Sequence, residues 1–308
     1  MQTLTFVTLA SNAYWLGFAA LVESIRSNSG LDLAQYKFLA YSTNPIPEWV
    51  LDWSKHRPEE IKFRVGEELN DFVSLSTQRY ERLSVSIKKL GLFGIQHQGT
   101  DLHVFVDSDM LCLGSLTDIF QFEPFAGVPN STDYLEAIDG SDNTDHINGG
   151  FFIFEPSPKD RDELFSIYRN NPEKFTQFGD QDVFAEWVRQ GKKVNFMPSR
   201  WNCMKGVLVP TGKKLNRSQL RKVRLLHFTG DNPWDIYNRI PLSEGRFFQL
   251  ERLWWHYLKQ SGIHPKDKEL RKLNKMILYK RWVKARVNYS RNKIKNMLKK
   301  LGHVRSSS

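Results

Sequence analysis

Two carboxylates in this 308-residue chain, those of Asp107 and Asp109, are one residue apart and directly follow the apolar run at 102–106. If that run is a buried strand, both carboxylates lie at its carboxyl end. There they can share one hard divalent cation whose remaining ligands are solvent or substrate oxygens. An Asp-x-Asp triplet alone is weak support, because a solvated turn can have the same sequence. The apolar segments on both sides, 102–106 and 110–116, favour a metal site.

The elements expected around these carboxylates alternate between strands and helices. The predicted strands are 3–10, 37–41, 61–65, 102–106, 151–154 and 224–228, and the predicted helices are 16–27, 79–96, 160–169, 180–190 and 243–260. This alternation predicts an α/β domain with a mainly parallel sheet, which binds ligands beyond the carboxyl ends of its strands. No linker-like composition interrupts residues 1–262, so we predict one domain there and a separate tail at 263–308.

Five segments have the most specific patterns: FVTLASNAY at 6–14, FVDSDMLCLGSL at 105–116, NGGFFI at 148–153, GDQDV at 179–183 and LHFTGDNPW at 226–234. In this order they resemble the conserved segments of family-8 glycosyltransferases, the group of glycogenin and the bacterial lipopolysaccharide galactosyltransferases. Each match is moderately specific, but five in register make coincidence a poor explanation. The resemblance implies a GT-A fold, a Rossmann-like single domain with a mixed, mainly parallel central sheet that binds a nucleotide-sugar.

The resemblance also implies a retaining transfer of a hexose, glucose or galactose, from a UDP-sugar to a glycan or glycolipid acceptor. Asp107, Asp109 and His227 would hold Mn²⁺ or Mg²⁺, and a mixed oxygen and imidazole set suits Mn²⁺ somewhat better. The cation would bridge the diphosphate and stabilise the departing UDP. By itself, His227 would more often be a buried core histidine; Gly230 and the Pro-Trp pair that follow it favour the metal ligand.

The donor site is implied by the same matches, and each residue type also has a purely structural interpretation. Uracil and ribose would be held at the first strand and turn, where Ser11 or Asn12 could instead cap the helix. Lys89 would reach the donor phosphate or sugar, although Lys88 competes for this role. The expected donor-binding residues are Leu9, Ser11, Asn12, Tyr14, Lys89, Ser108, Asn148, Gly149, Gly150 and Gly230.

Asp180 and Gln181 are the residues expected beside the reacting carbon. The resemblance implies front-side attack, in which the acceptor hydroxyl gives its proton to the leaving phosphate and no dedicated base is needed. Gln181 would stabilise positive character at the anomeric carbon with its side-chain oxygen, and Asp180 would hold sugar hydroxyls. The alternative for Asp180 is capping of the helix N-terminus, the commoner use of such a residue.

Two positions depart from the family pattern. The family usually has lysine before the Pro-Trp pair, where this chain has Asn232, so a cationic phosphate contact is missing. The family also often has asparagine soon after Asp-Gln, whereas positions 183–185 provide none. These differences leave open a catalytically silent nucleotide-sugar- or glycan-binding protein on the same scaffold. A nucleotide-sugar pyrophosphorylase is disfavoured, because no glycine-rich, basic nucleotide loop occurs near the N-terminus.

The net charge of +10 belongs to the C-terminal part of the chain. Residues 265–308 contain 15 Lys or Arg and 2 Asp or Glu, against 44 and 34 in the whole chain, so the remainder is nearly neutral. Apolar residues recur among these cations at roughly helical spacing, which predicts a basic amphipathic tail that binds an anionic membrane surface. A solvated, disordered tail is nearly as well supported. A nucleic-acid arm is disfavoured, because the body has no basic groove with interleaved aromatic residues.

The N-terminus lacks a basic residue before its apolar stretch, no apolar run reaches the length of a membrane span, and the chain has only 2 cysteines. We therefore expect a cytoplasmic protein that lies on the inner face of the cytoplasmic membrane. Its expected acceptor is a glycan or lipid-linked glycan in bacterial surface polysaccharide or lipopolysaccharide synthesis.

Overall fold

The apolar runs predicted as strands lie at the centre of the molecule. A computed structural model describes residues 2–66, 86–95, 102–130, 146–175, 177–210, 214–230, 232–234 and 247–263, with positions 286, 287, 289–291 and 293. Its strands are β1 (Leu4–Leu9), β2 (Tyr36–Ser42), β3 (Glu60–Val65), β4 (Leu102–Val106), β5 (Met110–Cys112), β6 (Ala126–Pro129), β7 (Ile147–Phe154), β8 (Asn195–Phe196), β9 (Cys203–Met204) and β10 (Leu225–His227).

Within the described residues, seven of these strands form the main sheet, in the order β3-β2-β1-β4-β7-β6-β8. The pairs from β3 to β4 are parallel, β7 runs antiparallel to both β4 and β6, and β6 is parallel to β8. Successive side chains of β1 enter different cores: Phe6 packs in one apolar cluster and Val7 in the other. The mixed, mainly parallel architecture predicted from the sequence is therefore confirmed.

The second sheet joins the main sheet through the Asp-x-Asp segment. β5 pairs antiparallel with β10, and β10 pairs parallel with β9. Between β4 and β5 the backbone N–H of Asp107 donates to Gly150 O at 2.8 Å, and the N–H of Phe228 donates to Asp109 O at 3.0 Å. The connection at 107–109 is thus fixed by backbone hydrogen bonds from both sheets.

Helices cover both faces of the main sheet. The helices in the described ranges are α1 (Tyr14–Asn28), α2 (Glu48–Lys55), α3 (Pro158–Asn170), α4 (Asp180–Arg189), α5 (Lys205–Leu208), α6 (Arg217–Leu220) and α7 (Phe248–Gln260). α1 packs against α7, whereas α3 packs against α4 and a 3₁₀ segment at Lys88–Gly94. None of the helices in the described part of the chain has the length and apolar content needed to span a bilayer.

Two sequence predictions differ from the structure. Of the helix predicted at 79–96, residues 86–87 are α-helical and Lys88–Gly94 form a 3₁₀ helix, whereas 79–85 and 96 lie outside the described residues. Gly91 and Gly94 lower the α-helix propensity of this segment, and Leu90, Leu92 and Phe93 are all buried, which a one-sided amphipathic helix does not provide. The strand predicted at 151–154 begins earlier, at Ile147.

Candidate active site

Three predicted metal ligands converge where the two sheets meet. One ligand atom each of Asp107, Asp109 and His227 lies within 4.8 Å of the others. His227 Nε2 is 3.2 Å from Asp109 Oδ1 and 3.9 Å from Asp107 Oδ2. The carboxylates follow β4, and the histidine is the last residue of β10. Residues about 120 positions apart in sequence therefore form one cluster.

Lys89 is the cation that reaches this cluster. Its Nζ lies 2.9 Å from the Asp107 carboxylate, donates to Gly149 O at 2.9 Å, and is 3.6 Å from Asp180 Oδ2. Lys89 belongs to the 3₁₀ segment, and its Nζ lies over the ring of Phe105, 4.9 Å from the ring centroid. Of the two adjacent lysines, Lys89 is therefore the one that contacts the metal cluster.

Burial and charge shift the pKa values of these groups in opposite directions. Burial raises the pKa of Asp107 above its usual range, although Lys89 opposes the shift. Burial likewise raises the pKa of Asp180. Burial alone would also raise the pKa of Asp109, but the charge and hydrogen bond of His227 outweigh it and lower the pKa. The pKa of Lys89 is raised despite burial, because Asp107 and Asp180 stabilise its charged form.

The described charges at this centre fit a divalent cation. Three carboxylates, those of Asp107, Asp109 and Asp180, surround one ammonium group, that of Lys89. The carboxylates outnumber the cations in this cluster, so it has an excess of negative charge that is costly to bury and that a divalent cation would balance. The ligand types, two carboxylates and one imidazole, suit Mn²⁺.

The Asn-Gly-Gly segment at 148–150 lies within β7. A Cβ on Gly149 would overlap the Asp180 carboxylate, and a Cβ on Gly150 would overlap the His227 imidazole. Glycine is therefore needed at both positions so that the Asp180 and His227 side chains can approach the strand.

Asp180 and Gln181 open α4 beside this strand. The helix N-cap is Gly179, and Asp180 is the first residue after it. The Asp180 side chain is buried, accepts a hydrogen bond from Ser86 and lies 3.6 Å from Lys89 Nζ. Asp180 is therefore not the N-cap residue of this helix. Gln181 Oε1 accepts a hydrogen bond from Asn130 Nδ2 at 3.0 Å. Asn130 was not predicted from the sequence, because its partner is 51 residues away.

The proposed nucleotide side lies where β1 ends and α1 begins. After Leu9 and Ser11, Asn12 has a positive φ of 48°, and the chain turns there into α1. Neither Ser11 nor Asn12 caps this helix through its side chain. The Tyr14 side chain is 38% exposed, and its ring packs edge-on against Trp234. Ser108 Oγ lies 3.5 Å from Leu9 O, which ties the Asp-x-Asp segment to this turn.

Asn232, at the position of the family lysine, joins the nucleotide side to the metal cluster. In the amide orientation that satisfies its neighbours, Nδ2 donates to Phe228 O at 3.2 Å and to Asp109 Oδ2 at 3.3 Å. Its Oδ1 then accepts from the Tyr14 hydroxyl at 3.2 Å. Gly230, two residues earlier, has φ 83° and faces open space. Asn232 therefore hydrogen-bonds the Asp109 carboxylate and supplies no cation.

This fold and this site define a class of protein. A mixed, mainly parallel sheet that ends in an Asp-x-Asp segment, with a histidine from a second sheet beside it, is the GT-A architecture of nucleotide-sugar-dependent transferases. The chain belongs to glycosyl transferase family 8, whose family model matches residues 6–236.

Similar proteins include one sequence relative and several solved structures. An Arabidopsis thaliana protein named for UDP-glucuronate:xylan alpha-glucuronosyltransferase activity is 23% identical over 219 residues, which are 65% of this chain and 31% of that protein. The chain thus spans about a third of that relative's length.

The structural neighbours are more distant in sequence. Galactosyltransferase LgtC, solved with donor and acceptor sugar analogs, has a TM-score of 0.60 at 16% identity, covering 87% of this chain and 99% of LgtC. LgtC with an active-site glutamine changed to glutamate gives 0.59 at 17% identity, with the same coverage. The glycosyltransferase GlyE of Streptococcus pneumoniae gives 0.56 at 15% identity, covering 92% of this chain and 64% of GlyE. These likenesses establish the fold.

Proposed function

We propose that the protein is a retaining, metal-dependent hexosyltransferase that uses a UDP-sugar, with UDP-glucose or UDP-galactose as donor. The observation that carries this proposal is the cluster of Asp107, Asp109 and His227, which has unbalanced negative charge and lies beside the exposed ring of Tyr14. A divalent cation in this cluster would supply Lewis-acid stabilisation of the departing diphosphate. Manganese is our proposed cation, because the ligand set includes an imidazole.

The protein's own side chains would bind and orient the donor around that centre. The Tyr14 ring would provide a flat face for uracil, with Leu9, Ser11, Asn12 and Ser108 forming the rest of the nucleotide site. Lys89, held between two carboxylates, would turn its ammonium toward the donor phosphate. The strand at 148–150 would face the donor sugar.

Asp180 and Gln181 would act at the reacting carbon. Asn130 donates to Gln181 Oε1, which leaves that oxygen a second lone pair for the positive anomeric carbon. The acceptor oxygen forms a bond to that carbon as the bond to the phosphate oxygen breaks, and the acceptor proton passes to that phosphate oxygen. LgtC with a substituted active-site glutamine supports a role for a glutamine in such sites.

UDP binding tests this proposal. We expect UDP to raise the melting temperature of the protein in the presence of Mn²⁺ and much less in EDTA, because a ligand that binds only the native state stabilises it by mass action. ADP and GDP at equal concentration are the controls. Equal stabilisation by all three diphosphates would contradict the uracil site at residues 9–14, and equal stabilisation in EDTA would contradict the metal site.

A second candidate is a catalytically silent binding protein on the same scaffold. Asn232 favours it, because the amide has no charge to stabilise a leaving phosphate and its hydrogen bonds go to Asp109 and Tyr14. Such a protein would bind UDP with Mn²⁺ and release no UDP from a UDP-sugar. Lys89 supports the active enzyme, because it supplies a cation 2.9 Å from the Asp107 carboxylate.

We further propose that the acceptor is a lipid-linked glycan of a bacterial surface polysaccharide or lipopolysaccharide, and that residues 263–308 attach the enzyme to the inner face of the cytoplasmic membrane. Most of this tail lies outside the described residues. At its described positions Val287 and Tyr289 are 44% and 51% exposed, and the Tyr289 ring lies 4.7 Å from Lys214 Nζ. Exposed apolar side chains among cations suit an anionic bilayer surface.

Truncation tests the tail. We expect a chain ending at Gly262 to release UDP like the full chain and to lose sedimentation with anionic vesicles, because every proposed site residue precedes that point. Binding of the full chain should weaken as salt is added, since exposed charges are screened. Vesicle binding by the truncated chain equal to that of the full chain would contradict the proposed attachment.

A further inference from the structure

A chain of buried hydrogen bonds runs from the backbone of β7 to the metal cluster through Asn202, a residue that the sequence did not single out. Asn148 Oδ1 accepts from Gly150 N at 3.0 Å and from Asn202 Nδ2 at 2.8 Å. Asn202 Oδ1 in turn lies 2.9 Å from His227 Nδ1. Asn202 is 1% exposed, and Asn148 and His227 are each 5% exposed. Water therefore has little access to this chain of contacts.

The direction of every hydrogen bond in this chain follows from its first member. The backbone N–H of Gly150 can only donate, so the Asn148 atom that faces it must be the carbonyl oxygen. That oxygen accepts, so the Asn202 atom facing it must be the amide nitrogen. The remaining Asn202 atom is its oxygen, and it requires a proton on His227 Nδ1. In the neutral imidazole this leaves the Nε2 lone pair toward the two aspartates.

We propose that Asn202 is a positioning residue for the metal site: it holds His227 in the one neutral tautomer that can ligate a cation through Nε2. The backbone N–H of Gly150 in β7 sets which atoms donate and which accept along these hydrogen bonds. The strand that would face the donor sugar therefore also determines which nitrogen of the imidazole carries the proton. Metal-binding histidines commonly donate their second N–H to an acceptor that fixes the ring, and losing that acceptor typically costs about 10–100-fold in metal affinity. The proposal rests on the metal site in the proposed function.

Manganese affinity, measured without any donor, tests the metal-binding half of the proposal. We expect Asn202→Leu, which keeps the size of the side chain but has no acceptor, to weaken Mn²⁺ binding by about 10–100-fold. Asn202→Asp should lose less affinity than Asn202→Leu, because a carboxylate still accepts the Nδ1 proton although its second oxygen faces Asn148 Oδ1. Asn195→Leu removes an amide that donates to Glu123 O far from the cluster and should leave Mn²⁺ affinity unchanged.

Long-range ¹H–¹⁵N spectra of histidine-labelled protein saturated with Zn²⁺, a diamagnetic stand-in for Mn²⁺, test the other half. Assigned by comparison with His227→Gln, the His227 signals should report a proton on Nδ1 and none on Nε2. A proton on Nε2 in the native chain would overturn the proposal, as would native Mn²⁺ affinity in a folded Asn202→Leu protein. If the native chain bound neither cation, the proposed function would fail, whereas native binding that Asn202→Leu leaves unchanged would overturn only the role of Asn202.

Discussion

Replacing Asp109 with asparagine should lower donor turnover by at least about 10²-fold and leave the fold intact. A loss of this size is typical when an enzyme loses one main electrostatic contact to the transition state. The cation would lose an anionic ligand, and the cluster would lose one of its three negative charges. Asparagine has nearly the same shape, and the backbone bond from Phe228 to residue 109 does not depend on the side chain. UDP release and the melting temperature should be measured together.

Asp162→Asn is the matched control for this substitution. Its side chain is 74% exposed and lies on α3, away from the cluster, so the same chemical change should leave UDP release and the melting temperature near those of the native chain. Near-native turnover by a folded Asp109→Asn protein would rule out Asp109 as a metal ligand. Unfolding of that variant would show that Asp109 is chiefly structural.

Replacing Lys89 with methionine should separate metal binding from chemistry. The ammonium group balances part of the charge of Asp107 and Asp180, so its removal makes the cluster more negative and should preserve or strengthen Mn²⁺ binding. Turnover should nevertheless fall by about 10²–10³-fold, because a preorganised cation for the leaving phosphate is lost. Mn²⁺ affinity and UDP release of the same preparation provide the two measurements.

Lys88→Met is the control, since it changes the adjacent residue of the same 3₁₀ segment. We expect it to retain most of the native turnover, because the ammonium that contacts Asp107 and Gly149 belongs to Lys89. If Lys88→Met lost turnover and Lys89→Met did not, the two lysines would have been assigned in the wrong order. If Lys89→Met lost Mn²⁺ binding, Lys89 would act by holding the metal ligands in place.

The main sheet could be predicted from the sequence where a strand is long and buried. β1, β2 and β4 are continuous apolar or β-branched runs, and their predicted bounds differ from the observed ones by one residue at most. β5, β8 and β9 have three residues or fewer, so they contain too little periodicity to be recognised. They form because partner strands distant in the sequence pair with them.

The metal cluster was predictable because its residues belong to ordered motifs, whereas its supporting residues were not. Asn202 acts on Asn148, which is 54 residues away, and no local pattern around position 202 indicates this contact. The choice between Lys88 and Lys89 likewise depended on the orientation of a 3₁₀ segment that was predicted as an α-helix. Contacts between side chains distant in sequence, which only the fold brings together, account for what the sequence left undetermined.

Release of UDP from UDP-sugars tests the central claim most directly. The native chain should be given UDP-glucose, UDP-galactose and UDP-glucuronate, each with Mn²⁺ and with EDTA, and free UDP should be followed over time. We expect Mn²⁺-dependent release from at least one of the two UDP-hexoses, more of it than from UDP-glucuronate, and none above background in EDTA. Release that is equally fast in EDTA, or absent with every donor although UDP and Mn²⁺ bind, would contradict a metal-dependent hexosyltransferase.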